Sequence, residues 1–240
     1  MTGPVLFDLD GTLADTSSDL AAATCDALAA VGLPSPEPHT LHAYGSRGGR
    51  GMLRAGWSGD LDDALFQRAF AVFLERYALR MYESTVLFDG VGACLEQLAR
   101  SGRRWGIVTN KGERYTRPLV KHLGLKPEVL VCGDMVPQSK PAPDSLLAAA
   151  AALGYAPAEC VYVGDDGKDV IAAAAAGMTS VAALYGYSAR LNDPGLKGAD
   201  AEIGTLRALP GVLKDLVQRK SLNGEECEIQ LTDAFQCRQF

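Results

Sequence analysis

Val5-Leu6-Phe7-Asp8-Leu9-Asp10-Gly11-Thr12-Leu13 joins three apolar residues to two acids one residue apart, then to a glycine and a threonine. The apolar run predicts a buried parallel strand, which has no polar face to show. Asp8 and Asp10 then fall at its carboxyl end, where open α/β sheets place their ligands. Two carboxylates this close repel each other unless a cation lies between them, so the pair predicts a hard metal ion such as Mg²⁺. Gly11 lets the chain leave the strand sharply, and Thr12 offers a hydroxyl and an N–H to an anion. An acidic turn after an ordinary strand has the same local sequence. The choice between the two rests on the remainder of the chain.

After Leu13 the sequence turns helical. Asp15 to Ser18 supplies capping residues, and Leu20, Ala23, Ala27, Leu28 and Val31 recur at helical spacing before Gly32 and Pro34 end the run. Tyr44-Gly45-Ser46-Arg47-Gly48-Gly49-Arg50-Gly51 reads as a loop, and Leu61 to Met81 as a long amphipathic helix. No convincing strand appears in this block, which reads as a helical lobe inserted after the first strand. From Val86 strands and helices alternate, the pattern of a parallel sheet. The strand candidates are Trp105–Thr109, Val129–Cys132, Cys160–Val163 and Ser180–Leu184. The helices are Val91–Arg100, Glu113–Leu123, Asp144–Leu153 and Asp169–Ala176, with Leu206–Val217 closing the fold. Right-handed crossovers give an α/β doubly wound parallel sheet with the strand of Asp8 near its middle. The alanine runs Ala148–Ala152 and Ala172–Ala176 suit helices packed closely on that sheet.

Each later strand ends in residues suited to a phosphate. Thr109-Asn110-Lys111 brings a hydroxyl and an amide. Ser139-Lys140-Pro141-Ala142-Pro143 fixes one lysine between prolines, a point charge worth on the order of 4 kcal/mol against an anion 4 Å away at an effective dielectric of 20. Gly164-Asp165-Asp166-Gly167-Lys168-Asp169 sets three acids in five residues, a pattern of metal ligands with their supporting shell. Taken singly, each has a plainer reading as a helix cap or a solvated charge. His39 and His42 have the spacing of a metal pair, but the surrounding proline and threonine suggest a loop.

Composition narrows the partners. In 240 residues, 23 basic and 29 acidic side chains leave a net charge of −6, which argues against a nucleic-acid or membrane-surface partner. A local cluster of cations still suits a small phosphorylated substrate. The six cysteines show no Cys-x-x-Cys spacing, so the chain reads as reduced and cytoplasmic. Only Met1-Thr2-Gly3-Pro4 precede the first strand, and no apolar run is long enough to span a bilayer.

Asp-x-Asp, Thr, Lys and Gly-Asp-x-x-x-Asp in this order, from Val5 to about Val217, resemble the haloacid dehalogenase superfamily, and within it the phosphoglycolate phosphatase group. The group includes N-acetylmuramic acid 6-phosphate phosphatases, toward which Leu87-Phe88-Asp89-Gly90 and Trp105 to Lys111 lean. The resemblance implies a Rossmann-like core from 1–14 and 86–220 and a helical cap from 15–85; beyond Lys220 a polar stretch without clear period reads as a C-terminal tail over 221–240, disordered or loosely docked. It implies Asp8 as nucleophile, forming an aspartyl phosphate, and Asp10 as acid and base. Thr109, with Asn110 and Lys111, would bind substrate, and Lys140 would neutralise charge. Mg²⁺ would be held by Asp8, the main-chain carbonyl of Asp10, and Asp165, with Asp169 as ligand or support. Arg47 is the leading cap residue for substrate, with Arg50 and Arg54 as alternatives. Asp166 stands where many relatives carry serine or threonine. A sugar phosphomutase of the β-phosphoglucomutase type shares these acids and is the alternative from another reaction class.

Overall fold

Every backbone group of the first strand, β1 (Val5–Phe7), faces a parallel neighbour. In the computed structural model, which describes residues 3–57, 59 and 63–218, β1 pairs on one side with β4 (Trp105–Val108) and on the other with β6 (Val161–Gly164). β5 (Val129–Val131) extends the sheet beyond β4, while β7 (Thr179–Ala183) and β8 (Ala201–Ile203) extend it beyond β6. All pairings are parallel, in the order β5-β4-β1-β6-β7-β8. The chain winds outward in one direction through β4 and β5, then crosses back over β1 to β6. The crevice therefore opens at the carboxyl ends of β1, β4 and β6.

Alternation along β1 divides the core. Val5 and Phe7 face a cluster with α4 (Val91–Arg100), α5 (Glu113–His122) and a helix over 209–218, while Leu6 faces the opposite layer of α6 (Asp144–Leu153) and α7 (Gly167–Ala176). Ala149, Ala150, Ala172, Ala173 and Ala176 are the faces those last helices bury. Tyr162, between Val161 and Val163, points into the same layer.

The block between β1 and β4 has a separate apolar cluster. It comprises α1 (Ser17–Ala30), a 3-10 segment over Pro38–Arg47, α2 (Gly48–Gly56) and α3 (Asp63–Arg80), meeting at Leu20, Leu28, Leu41, Met52, Phe66, Phe73 and Tyr77. Both crossings into it lie side by side as an antiparallel ribbon of β2 (Ala14–Asp15) and β3 (Val86–Leu87). Buried Asp19 ties the exit down by accepting from Ser84 N at 3.0 Å, Thr85 N at 3.0 Å and Thr85 Oγ1 at 2.8 Å.

Several expectations change here. The stretch from Tyr44 to Gly51 is not a loop but the end of the 3-10 segment and the start of α2. Glycine is a poor helix former, but a Cβ at Gly49 would fall 2.1 Å from the Phe73 ring. Its smallness lets α2 approach α3. His39 and His42 lie on the 3-10 segment and join no cluster of three ligand-type side chains among the described residues. β2 and β3 are strands at the base of a block expected to hold none, two residues long and too short to show a period of two. β8 was not anticipated at all, being a three-residue edge strand with exposed Glu202 at its centre. The closing helix begins as a 3-10 turn, Leu206–Ala208. Leu61 and Asp62, the expected start of α3, and the tail over 221–240 with Cys227 and Cys237 lie outside the described residues. Cys25, Cys94, Cys132 and Cys160 are free thiols. Among the described residues no helix is long and apolar enough to cross a membrane.

Gly49→Ala tests the packing of α2. Helix propensity alone favours alanine by about 1 kcal/mol, whereas forcing a methyl into a filled interface costs about 1–3 kcal/mol. The ring it meets is stacked between Phe70 and Tyr77, at centroid distances of 6.1 and 5.9 Å, so it has no room to yield. We expect a lower urea midpoint. A raised midpoint would show that the ring is free to move.

Candidate active site

Asp8 is the first residue beyond β1, held by its own N–H donating to Val163 O at 2.9 Å. Its carboxylate is buried, with Lys140 Nζ 3.0 Å from Oδ1 and Leu9 N donating to the same oxygen at 2.8 Å. Oδ2 receives no hydrogen bond among the described residues. Burial raises the Asp8 carboxyl to about 6, against the lowering effect of Lys140. Asp10 follows on the turn made by Gly11, whose φ of +86° and closeness to Asp165 leave no place for a side chain. Its Oδ1 accepts from Lys111 Nζ at 2.7 Å and Thr16 Oγ1 at 2.6 Å. Asp8 and Asp10 thus each face a lysine of their own, Lys140 and Lys111.

Lys140 comes from the loop after β5 and is fully enclosed. Four oxygens surround its Nζ: Asp169 Oδ1 at 2.7 Å, Asp8 Oδ1 at 3.0 Å, Val108 O at 3.1 Å and Tyr162 OH at 2.6 Å. Burial works against its charge, but Asp169 and Asp8 outweigh it and hold the ammonium above its ordinary range. Asn110 positions this lysine. Its Nδ2 donates to Lys140 O at 2.7 Å, and its Oδ1 accepts from Lys140 N at 3.0 Å. Both ends of the Asn110 amide are thereby occupied, although the residue also borders the cleft. Thr109 is buried at the end of β4, its N–H on Val131 O at 3.0 Å and its Oγ1 accepting from Lys111 N at 3.2 Å.

Beyond β6, Asp165 accepts from Tyr187 N at 2.8 Å on Oδ2 and from Thr12 Oγ1 at 3.4 Å on Oδ1. Asp166 caps α7, accepting from Lys168 N at 3.0 Å and from Ser188 Oγ at 2.8 Å. Asp169 returns an oxygen to Asp166 N at 3.1 Å while its other oxygen meets Lys140. The acid at 166 is thus a capping group paired with Lys168 Nζ at 3.4 Å.

Asp8, Asp165 and Asp169 each present a ligand oxygen, all within 4.8 Å of one another. Burial first, then Asp169 and Asp8, push the Asp165 carboxyl well above the ordinary carboxylate range. Three buried carboxylates share one buried ammonium, a deficit of two charges. A divalent ion with a preference for hard oxygen ligands fits that deficit.

Of these groups Asp8 borders a cavity of about 800 Å³ beneath the helical block, with Asp165, Asp169 and Lys140 buried behind it. Asp8, Asp10, Thr109 and Lys111 form its floor; Phe70, Phe73, Leu74 and Tyr77 of α3 line one wall. Of the three candidate arginines, Arg47 and Arg50 border the cavity and Arg54 does not. Arg47 Cζ lies 5.1 Å from the Tyr44 ring centre, and Arg50 Cζ 4.3 Å from that of Phe70. Two contacts fasten the block to the core here: Ser46 Oγ meets Ser188 Oγ at 2.9 Å, and Lys168 Nζ donates to Ser46 O.

Sequence reading missed two tyrosines. Tyr162 belongs to an apolar run that reads as core, yet its hydroxyl accepts from Lys140 and donates to Val108 O at 2.9 Å. The alternation of Val161-Tyr162-Val163 was the available signal, since it places the ring alone on the α6–α7 side. Tyr187 holds Asp165 through its N–H, while its hydroxyl accepts from Thr16 N at 2.7 Å and donates to Asp15 Oδ1 at 2.9 Å. It bridges segments more than 170 residues apart, and no local pattern marks it.

The sheet is doubly wound, and its switch point gathers acids and one buried lysine into a carboxylate centre. The chain belongs to the haloacid dehalogenase-like hydrolase family, whose model matches residues 5–183. It is 43% identical over 192 residues to a phosphoglycolate phosphatase of Xanthomonas campestris, covering 79% of this chain and 86% of that one. It is 36% identical over 211 residues to an N-acetylmuramic acid 6-phosphate phosphatase of Pseudomonas aeruginosa, covering 87% and 93%. These relatives place the enzyme among the family's phosphatases. A crystal structure of a predicted phosphoglycolate phosphatase from Haemophilus somnus shares the fold, with TM-score 0.77 and 24% identity over 88% of this chain and 97% of that one.

Proposed function

We propose that this hydrolase removes phosphate from small phosphate monoesters through an aspartyl phosphate on Asp8, with Mg²⁺ as cofactor. The observation that carries the reading is the convergence of Asp8, Lys140, Asp165 and Asp169 on one buried point at the end of β1. Asp8 Oδ2, free of hydrogen bonds, is the attacking oxygen. Thr109 and Lys140 bind and neutralise the transferring phosphoryl group. Asp10 gives a proton to the departing oxygen and then takes one from the water that cleaves the acyl phosphate. Lys111 and Thr16 hold it in place through Oδ1, which leaves Oδ2 to carry that proton.

Asp8, the carbonyl of Asp10, and Asp165 are the proposed ligands of Mg²⁺, with Asp169 beside them. When bound, the ion supplies positive charge that keeps Asp8 ionised and offsets the phosphate dianion. The helices between residues 15 and 85 act as a cap that closes over the site and excludes water, with Arg47 and Arg50 facing the leaving group. The free thiols suit a reducing cytoplasm.

Two substrates follow from the relatives: 2-phosphoglycolate, and N-acetylmuramic acid 6-phosphate. Identity favours the first. The half-open cavity, about 800 Å³, has room for the second as well as the first.

The test is phosphate release across 2-phosphoglycolate, N-acetylmuramic acid 6-phosphate, hexose phosphates and nucleotides, with and without EDTA. We expect release without any bisphosphate activator, silenced by the chelator and restored by Mg²⁺. A requirement for a sugar bisphosphate would mark a mutase, and activity indifferent to chelation would remove the metal.

A further inference from the structure

Four aromatic rings run along α3: Phe66, Phe70, Phe73 and Tyr77. Their centroids are 6.4, 6.1 and 5.9 Å apart and their planes within 6° of parallel. Three are phenylalanines. The fourth, nearest the acids, carries a hydroxyl that finds no hydrogen-bond partner among the described residues, although Tyr77 is only 2% exposed. Such an orphan destabilises a protein, and phenylalanine would pack the same ring without it. Trp57 Nε1 and Ser145 Oγ are likewise unpartnered, but neither residue borders the active-site cavity, and Tyr77 does.

Its surroundings explain why the protein itself does not satisfy this hydroxyl. Lys111 Nζ lies 4.8 Å from the ring centre and 2.7 Å from Asp10; an ammonium only donates, so it can approach the phenol oxygen but cannot accept the phenol proton. Tyr115 closes the other side with its ring centre 5.7 Å away. Burial pushes the phenol up to about 12, so it keeps its proton and is a donor. The group it lacks is an acceptor, and Tyr77 and Asp10 line the same cavity.

We propose that Tyr77 is a specificity-determining residue whose hydroxyl donates a hydrogen bond to an oxygen of the leaving group, on a carbon near the ester oxygen. The enzyme then selects oxygen-rich alcohols, such as hydroxy acids and sugars, over featureless ones. A substrate lacking that oxygen leaves the buried hydroxyl unpaired in the closed complex, and sites built this way reject such analogues strongly. The inference rests on the proposed phosphatase reading, because it assumes that the departing oxygen lies beside Asp10.

The experiment compares Tyr77→Phe with wild type on three probes: phenyl phosphate, which has no leaving-group oxygen beyond the ester, 2-phosphoglycolate and N-acetylmuramic acid 6-phosphate. For the better of the last two, kcat/KM relative to that for phenyl phosphate is expected to fall about tenfold or more. The unfolding midpoint of the variant should hold or rise, since an unsatisfied buried group has gone. An unchanged ratio overturns the proposal. A midpoint lowered by several degrees also overturns it, because the hydroxyl would then serve the fold. If wild-type enzyme releases no phosphate from any of the three, the phosphatase reading itself has failed, and the unfolding comparison alone decides whether the hydroxyl is an orphan.

Discussion

Asp8→Asn is expected to abolish phosphate release, by about 10⁴-fold or more in kcat, while leaving a folded protein. Removing the nucleophile from a preassembled site costs factors of this order or larger, and an amide oxygen cannot form the aspartyl phosphate. The fold should survive for an electrostatic reason. The Asp8 carboxyl titrates near 6 in the metal-free protein, above its ordinary 3.8, chiefly because it is buried. A carboxyl raised in this way contributes stability that is complete below the unfolded value of 3.8 and is lost as pH rises through 6. Asparagine carries no such loss, and Lys140 keeps Asp169 as its partner at 2.7 Å. Metal-free Asp8→Asn should therefore unfold at pH 8 no more readily than wild type. Single-turnover release of phosphate, read beside a urea titration, checks both statements. Turnover within tenfold of wild type would assign the attack to another group.

Lys140→Met should be nearly as damaging and should differ in kind. Methionine fills the same volume without charge, so Asp8 and Asp169 lose the ammonium that touches both. Removing one preorganised charge from such a site costs about 10²–10³ in rate, and we expect the upper end because Lys140 also keeps Asp8 ionised. Breaking a buried ion pair costs about 3–5 kcal/mol of stability. The loss should be greatest without divalent ions and partly recovered by Mg²⁺, which supplies the missing charge to the same acids. Lys140→Arg is not a rescue. Four oxygens close round a single nitrogen, and a planar guanidinium cannot satisfy that arrangement. The pair of measurements is kcat and the unfolding midpoint with and without Mg²⁺. A midpoint unmoved in the metal-free protein would mean that the acids are protonated and the ion pair is not formed.

What the sequence revealed follows physical range. The strands of the core are continuous apolar runs because both faces are buried, and each ends in the polar residues the cleft needs. β1 and Asp8, β4 and Thr109, and β6 and Asp165 were legible for that reason. Elements shaped by partners elsewhere in the chain were not. α2 looked like a loop because one of its glycines, Gly49, answers to Phe73 on another helix. That Asn110 also positions Lys140 through both ends of its amide was hidden, because nothing near it in sequence shows the contact. Tyr187 gave no sign because its partners, Thr16 and Asp165, become neighbours only after the sheet is wound. The alternation rule would have set Tyr162 apart from its neighbours, but not shown that it holds the ammonium.

The adjacent ribbons at Ala14↔Leu87 and Asp15↔Val86 have a consequence for how this enzyme can change. No strand of the large sheet is drawn from residues 16–85, and the chain enters and leaves that stretch at one shared doorway. Apart from Thr16, whose hydroxyl holds Asp10, what is altered inside the detour meets the acids across the cavity. On the proposed mechanism, taste and turnover are therefore written largely in separate passages of the chain.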